Sequence, residues 1–263
     1  MRGLGQSILK LRRSVNFIDC GENALPLRID LPITNNQSPI NMSKIQLYSA
    51  KACPYAHRTR LVLGEKGIDF EYTEIDLQNK PEWFSTISKY GKVPAIRHGE
   101  NEIYESAVIN EYLNEVFPEP ALLPKDAGSK AIARIWIDYA NTKFTTAFGK
   151  LLRGKTAEEQ EQGHTELNEA ILFIENEAFA KLSGNGAYWF GENISLVDLT
   201  FYPWFERIPT LEHYRNYTIP AEAVRVKRWW DAVSDRPAVK AIANPVDFYI
   251  ERYSRFIQQP VAA

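Results

Sequence analysis

Apolar positions change their period along this chain. They alternate at Ile45-Gln46-Leu47-Tyr48, as in a half-buried strand. An amphipathic segment from Pro54 to Lys66 follows, and Gly67 stops it. Alternation returns from Phe70 to Asp76, and a short helix passes through Trp83 and Ile87. Val93-Pro94-Ala95-Ile96, a turn at His98-Gly99-Glu100-Asn101 and a strand at Glu102 to Tyr104 lead into a helix from Ser106 to about Val116. This order, βαβ then αββα, predicts a four-stranded mixed sheet with helices on both faces and its last two strands antiparallel.

Phe117-Pro118-Glu119-Pro120 breaks that unit, and the chain leaves it through a linker over 118–127. Beyond it the spacing is helical. Ile132, Ile135, Trp136, Tyr139, Phe144, Ala147, Phe148 and Leu151 recur mostly at three and four, with one gap of five. Leu167 through Leu182 defines a second helix, and Ser195-Leu196-Val197-Asp198 is a capping box opening a third, which Pro203 bends or ends. Val224 to Val233 and Tyr249 to Ile257 complete an all-helical second domain over 128–263.

Composition narrows the class without setting the chemistry. The 44% hydrophobic content supports a sizeable core, and a net charge of -2 supplies no basic field for nucleic acid. No apolar stretch reaches the roughly 20 residues needed to span a bilayer. Two cysteines offer no disulfide framework, and no His/Cys cluster has metal-ligand spacing, so no metal is expected. Residues 1–43 differ from the rest: Arg2, Lys10, Arg12 and Arg13 precede the first acid, and turn-rich composition follows to Pro39. A disordered leader, a targeting segment and a start displaced from Met42 all fit, so an organelle stays open beside the cytoplasm.

Candidate chemistry centres on Cys53-Pro54-Tyr55-Ala56. Proline is tolerated at the first helical position, which puts Cys53 at the cap, where free N–H groups and the helix dipole favour a thiolate. Ala56 stands where a dithiol protein would carry its second cysteine, so a disulfide made by Cys53 needs an outside partner. Cys20 is the one other thiol in the chain, and nothing fixes its distance from Cys53. A buried structural cysteine is the competing reading.

Gly149-Lys150-Leu151-Leu152-Arg153-Gly154-Lys155-Thr156 matches the phosphate-loop pattern letter for letter. That motif needs a strand before its first glycine, and the residues before Gly149 keep helical spacing. Thr156 with Glu159 fits a helix-opening capping box instead.

A lone thiolate suits glutathione, whose thiol can resolve a mixed disulfide. The tripeptide needs strand-like backbone pairing, a cation for its glycyl carboxylate, and a carboxylate and hydroxyl for its γ-glutamyl end. Val93-Pro94 offers the first if Pro94 is cis, Lys80 and Lys92 are candidate cations, and Glu105-Ser106 suits the last, with Ser106 as helix cap.

With these segments on the page, the chain from about Lys44 resembles a cytosolic glutathione transferase of the cysteine-type omega class. The resemblance rests on Cys53 to Leu63, Asn79-Lys80-Pro81-Glu82-Trp83-Phe84, Val93-Pro94, Ile103 to Ala107, Leu122-Leu123-Pro124, Ile194 to Asp198 and Pro203-Trp204-Phe205-Glu206-Arg207. It implies a thioredoxin-like domain over 44–117 followed by an all-α helical bundle. It also implies Cys53 as the thiol that bonds glutathione, with Lys80, Val93, Pro94, Glu105 and Ser106 as glutathione contacts. The activity implied is thiol transfer, deglutathionylation and reduction of dehydroascorbate, with glutathione as cosubstrate and a small electrophilic or disulfide acceptor. Tyr139, Phe144 and Trp204 are expected in an acceptor pocket between the domains. Tyr48, a candidate hydroxyl five residues before Cys53 in the first strand, is expected as a core or cleft-wall aromatic. A homodimer is expected by analogy. The alternative is a binding or regulatory protein with little turnover.

Overall fold

The computed structural model describes residues 43–257. The leader and Cys20 therefore lie outside the described residues. β1 (Ile45–Ser49) is an inner strand of a four-stranded sheet of order β2-β1-β3-β4, with β2 spanning Phe70–Glu74, β3 Ala95–His98 and β4 Asn101–Tyr104. β1 runs parallel to β2, with Leu47 opposite Tyr72, and antiparallel to β3, with Leu47 opposite Ile96. β3 and β4 are antiparallel, joined through Gly99 at φ +61°, a backbone state that glycine adopts without penalty.

Alternation along β1 assigns the two faces of the sheet. Ile45 and Leu47 join the main core with Leu61 of α1 (Pro54–Glu65) and Ile109 of α3 (Ser106–Val116). Tyr48 turns to the other face with Ala95 and packs on Phe84 and Ile87 of α2 (Phe84–Ile87). Being covered on both sides explains why four of the five β1 residues are buried, with Gln46 alone partly exposed.

Several strand ends differ from their sequence reading: β1 runs on to Ser49 and β4 opens at Asn101, inside the expected turn. β2 stops at Glu74, the Ile75 N–H making the last bond of the ladder to the Ser49 carbonyl, and β3 begins only after the cis Val93-Pro94 bond.

The helical half opens with α4 (Ala127–Tyr139), capped by Asp126, whose carboxylate accepts from the Ser129 N–H. It continues through a π-helical turn, Ala140–Phe144, into α5 (Thr145–Arg153). The gap of five between Tyr139 and Phe144 is the trace of that wide turn in the apolar spacing. α6 (Ala157–Phe173) passes through a second π turn, Ile174–Phe179, into α7 (Ala180–Leu182). α8 (Leu196–Phe205) is buried along its whole length and keeps Pro203 inside it. The Asp198 carboxylate accepts from the N–H of Ser195 and of Trp189 and from the Trp229 indole, so the capping box also ties three segments together. α9 (Ile208–Arg215), α10 (Val224–Ser234), α11 (Pro237–Ile242) and α12 (Val246–Ile257) complete the fold. α9 and α11 span eight and six residues, too short for an apolar period to show in the sequence.

Gly149–Thr156 forms no phosphate cradle. Gly149 lies inside α5, the Leu151, Leu152 and Gly154 carbonyls accept from Arg215, and the Gly154 N–H is taken by Lys150. The Lys155 and Thr156 N–H groups point at the Glu159 carboxylate, which would repel a phosphate, and Lys150 pairs with Glu166.

One apolar core runs through both halves, and polar links reinforce it. Arg236 forks onto Glu65 at the end of α1. Lys66 donates to the Phe117 and Pro120 carbonyls at 2.7 Å each, fixing the start of the connection between the halves.

Candidate active site

Cys53 leaves β1 through a two-residue turn, its own N–H bonded to the Ala50 carbonyl at 3.0 Å, and caps α1 in an extended conformation (φ −77°, ψ 120°). Pro54 occupies the first helical position. No side-chain hydrogen bond caps the helix, but the Ala56 and Tyr55 N–H groups reach the sulfur and favour its thiolate. The Cys53 Sγ lies 3.9 Å from the Val93 carbonyl oxygen, to which it donates across the sheet end. Burial pushes the Cys53 thiol above its ordinary range; the Ala56 and Tyr55 N–H groups and the charges of Arg207 and Arg60 pull it down but do not prevail. The stabilisation expected at a helix start is thus present, and in the free protein desolvation exceeds it. The side chain keeps partial access to solvent.

Above the thiol opens a cavity of about 500 Å³ lined by Lys80, Lys92, Val93, Pro94, Glu105 and Ser106. β2 and the segment after it deliver Lys80, and β4 delivers Glu105. Among the described residues neither Lys80 nor Glu105 has a side-chain partner. Glu105, not Ser106, caps α3, and it does so at φ +72°, which costs a non-glycine residue about 1–3 kcal/mol. Ser106 is the first helical residue and is largely buried. Lys92 sits 5.9 Å from the Tyr90 ring.

A second cavity of about 280 Å³ shares Cys53, Tyr55 and Leu77 with the first. Its walls come from the helical half: Phe148 and Leu152 of α5, Trp204 of α8 and Tyr253 of α12. Trp204 meets Tyr55 edge-on at 4.9 Å, and the Arg58 guanidinium lies 4.4 Å over the Trp204 ring. Arg58 is itself fixed by bonds to the Thr200 carbonyl at 2.8 Å and Asn141 Oδ1 at 2.6 Å.

Below Cys53 lies a buried polar knot. Arg207 donates to the Ala52 carbonyl at 3.2 Å and to the Pro203 carbonyl, and stacks 4.1 Å over the Tyr249 ring. Its Nη1 is 3.4 Å from His57 Nδ1. Arginine only donates, so Nδ1 accepts and the imidazole is neutral. Burial and the Arg207 and Arg60 charges agree, holding the His57 pKa well below its usual value.

A family model described as "Glutathione S-transferase, N-terminal domain" matches residues 47–121, and one described as "Glutathione S-transferase, C-terminal domain" matches residues 135–237. The two together account for more than half of the chain. The chain belongs to the glutathione S-transferase family.

Its relatives include glutathione S-transferase U28 of Arabidopsis thaliana, 34% identical over 76% of this chain and 88% of that protein. Glutathione S-transferase omega-1 of Sus scrofa is 33% identical over 78% of this chain and 82% of its own. Among solved structures, glutathione transferase Omega 3C from Trametes versicolor superposes with a TM-score of 0.73 at 28% identity, covering 82% of this chain and 91% of its own. The protein is accordingly an omega-like glutathione S-transferase, a glutathione-dependent enzyme with a thioredoxin-like domain and a helical domain.

In this glutathione S-transferase the structure brings Lys80, Val93, Pro94, Glu105 and Ser106 around Cys53, and places Trp204 on the wall of the second cavity. It separates the other two expected acceptor residues from that site. Phe144 is fully buried, stacked 5.5 Å from Phe205 and edge-on to Phe201 at 5.2 Å. Tyr139 packs on Trp136 and Phe173 and lines a different groove with Glu166 and Glu169. The π turn between them sets the phase: Asn141, Thr145, Phe148 and Leu152 take the face toward Cys53. Tyr48 is buried on the α2 face of the sheet, its hydroxyl donating to Gln46 at 3.2 Å, and lines neither cavity. Asn141, Arg58 and Arg207 carry no signal in apolar spacing. Arg207 stood inside the segment Pro203 to Arg207, and its burial is the property that sequence hides.

Proposed function

We propose that this glutathione S-transferase works as a glutathione-dependent thiol transferase through a mixed disulfide on Cys53. The Cys53 thiolate attacks the glutathione sulfur of a disulfide G–S–S–R, the S–S bond breaks, and RS⁻ leaves with its electron pair. Glutathione thiolate then attacks the glutathione sulfur of Cys53–S–S–G, releasing the Cys53 thiolate and glutathione disulfide. The observation that carries this reading is the thiol 3.9 Å from the Val93 carbonyl, on the floor of a cavity whose rims hold Lys80 and Glu105, both without a side-chain partner among the described residues.

In this reading Val93 pairs by its backbone with the cysteinyl portion of glutathione, beside Pro94. Lys80 takes the glycyl carboxylate, Glu105 the γ-glutamyl ammonium, and Ser106 with the α3 start the γ-glutamyl carboxylate. Dehydroascorbate-type reduction follows from the same thiol. A reducing compartment such as the cytoplasm suits a protein whose reductant is glutathione. A two-fold homodimer belongs to the reading too, supported by the exposed apolar side chains Val108 on α3 and Ile132 and Ile135 on α4; light scattering tests it.

One observation favours the slower alternative of a glutathione-binding protein with little turnover: burial raises the Cys53 thiol. A single experiment separates the two. Incubated with glutathione disulfide in a Cys20→Ser background, the protein gains one glutathione by mass, and the further change Cys53→Ser abolishes both that gain and thiol-transfer activity. An unmodified Cys20→Ser protein, or full activity after the further change Cys53→Ser, sinks the mechanism.

A further inference from the structure

The second cavity is apolar on its walls and cationic at its mouth. Arg153, at the end of α5, and Arg252, on α12, both line it, and among the described residues no carboxylate does. Among the described residues neither guanidinium has a carboxylate partner; Arg252 stands 5.7 Å over the Phe248 ring.

Arg153 owes its position to a glycine. Helical side chains lean toward the helix N-terminus, over the residue four earlier. For Arg153 that residue is Gly149, and a Cβ there would fall 2.4 Å from Arg153 Nη2 and 3.0 Å from its central carbon. The guanidinium therefore rests on bare backbone, flush with the cavity wall beside Phe148 and Leu152. Gly149 sits in a buried helix interior, where alanine would be the better helix former. The benefit of a glycine there lies in the space it leaves at the cavity wall, which the Arg153 guanidinium fills.

We propose, building on the thiol-transfer reading above, that Arg153 and Arg252 select acceptors whose leaving thiol carries an anionic group on a flat apolar body. Phe148 and Trp204 face the body, the two guanidiniums hold the anion, and the scissile sulfur reaches Cys53 at the junction of the two cavities. The substrate class is the mixed disulfide of glutathione with an anionic aryl thiol.

Two matched probes test this: the mixed disulfides of glutathione with 4-mercaptobenzoate and with 4-mercaptobenzamide, which differ in charge and little in size. The readout is the ratio of their kcat/KM values, measured as aryl thiol release. The native protein favours the benzoate, and 1 M salt, where screening acts over about 3 Å, shrinks the preference. Arg153→Gln and Arg252→Gln each lower the ratio about three- to tenfold, the scale of a partly exposed ionic contact. Gly149→Ala lowers it like Arg153→Gln, since the methyl displaces only the far end of a flexible side chain, and Arg153→Lys keeps part of it. An unchanged ratio in the double variant Arg153→Gln/Arg252→Gln overturns the proposal while leaving the thiol-transfer reading intact, provided Cys53 takes up glutathione. If the native protein forms no glutathione adduct, that reading falls and takes this proposal with it.

Discussion

Arg207 donates to the carbonyl oxygen of Ala52 at 3.2 Å, so the residue before Cys53 is held by an arginine 155 positions further along the chain. The helical half thus contributes a floor to the site as well as a wall. A loop that ends a strand is ordinarily among the more mobile parts of a fold. Here a buried, always-charged side chain pins it from beneath.

Arg207→Met should therefore act twice. It leaves the Ala52 and Pro203 carbonyls without their donor inside the protein, costing about 2–4 kcal/mol in a urea titration. It also removes a positive charge that lowers the Cys53 pKa, so the pH midpoint of thiol alkylation rises. Lost stability with an unshifted midpoint would show that Arg207 supports the fold alone.

Native Cys53 should itself titrate high. In a Cys20→Ser background, the rate of iodoacetamide modification followed by mass across pH 6 to 10 should have its midpoint above the ~8.5 of an ordinary cysteine. A midpoint under 7 would mean that the helix start outweighs desolvation.

Glu105→Gly relaxes a backbone at φ +72° and deletes a proposed glutathione contact. The expected result is a gain of up to about 1 kcal/mol in stability with a loss of about tenfold or more in glutathione affinity, both read from thermal shifts with and without glutathione. Glu105→Gln keeps the backbone cost and should lose affinity alone. Destabilisation by glycine would contradict the strain argument.

His57 makes stability depend on pH in one direction. Its folded pKa is depressed well below the unfolded value near 6.5, so the unfolded chain binds more protons between the two. Stability is fully present above about pH 6.5 and is lost as pH falls below it, by at most about 1.4 kcal/mol per pH unit from this residue. Denaturation midpoints at pH 7.5, 6.5 and 5.5 should drop for the native protein, and less steeply for His57→Gln. Equal slopes would assign the dependence to other groups.

Much of this was legible before any coordinates. Strand periodicity, the stop at Gly67 and the capping boxes at Thr156 and Ser195 are local signals, and local signals fix local structure. Cys53, Lys80, Val93, Glu105 and Ser106 were within reach because the sheet gathers short loops at one end. What stayed hidden depends on distance in sequence. Arg58 and Arg207 look like surface charges until their carbonyl partners, Thr200 and Ala52, are brought to them from the other half. Tyr139 and Phe144 were expected at the acceptor site as aromatics of the second domain beside the cleft, and the π turn between them gives that face to Asn141, Thr145 and Phe148 instead.

That wide turn at Ala140–Phe144 makes residue count, as distinct from residue kind, a determinant of which substrates fit. Each residue advances a helix by about 100°. Closing the π turn into an ordinary one by deleting a single position would swing every later side chain of α5 by that angle, carrying Phe148, Leu152 and Arg153 off the cavity with no change in their identities. Two chains of this design could share every lining residue and still accept different molecules, if one of them had lost a single residue between Ala140 and Phe144.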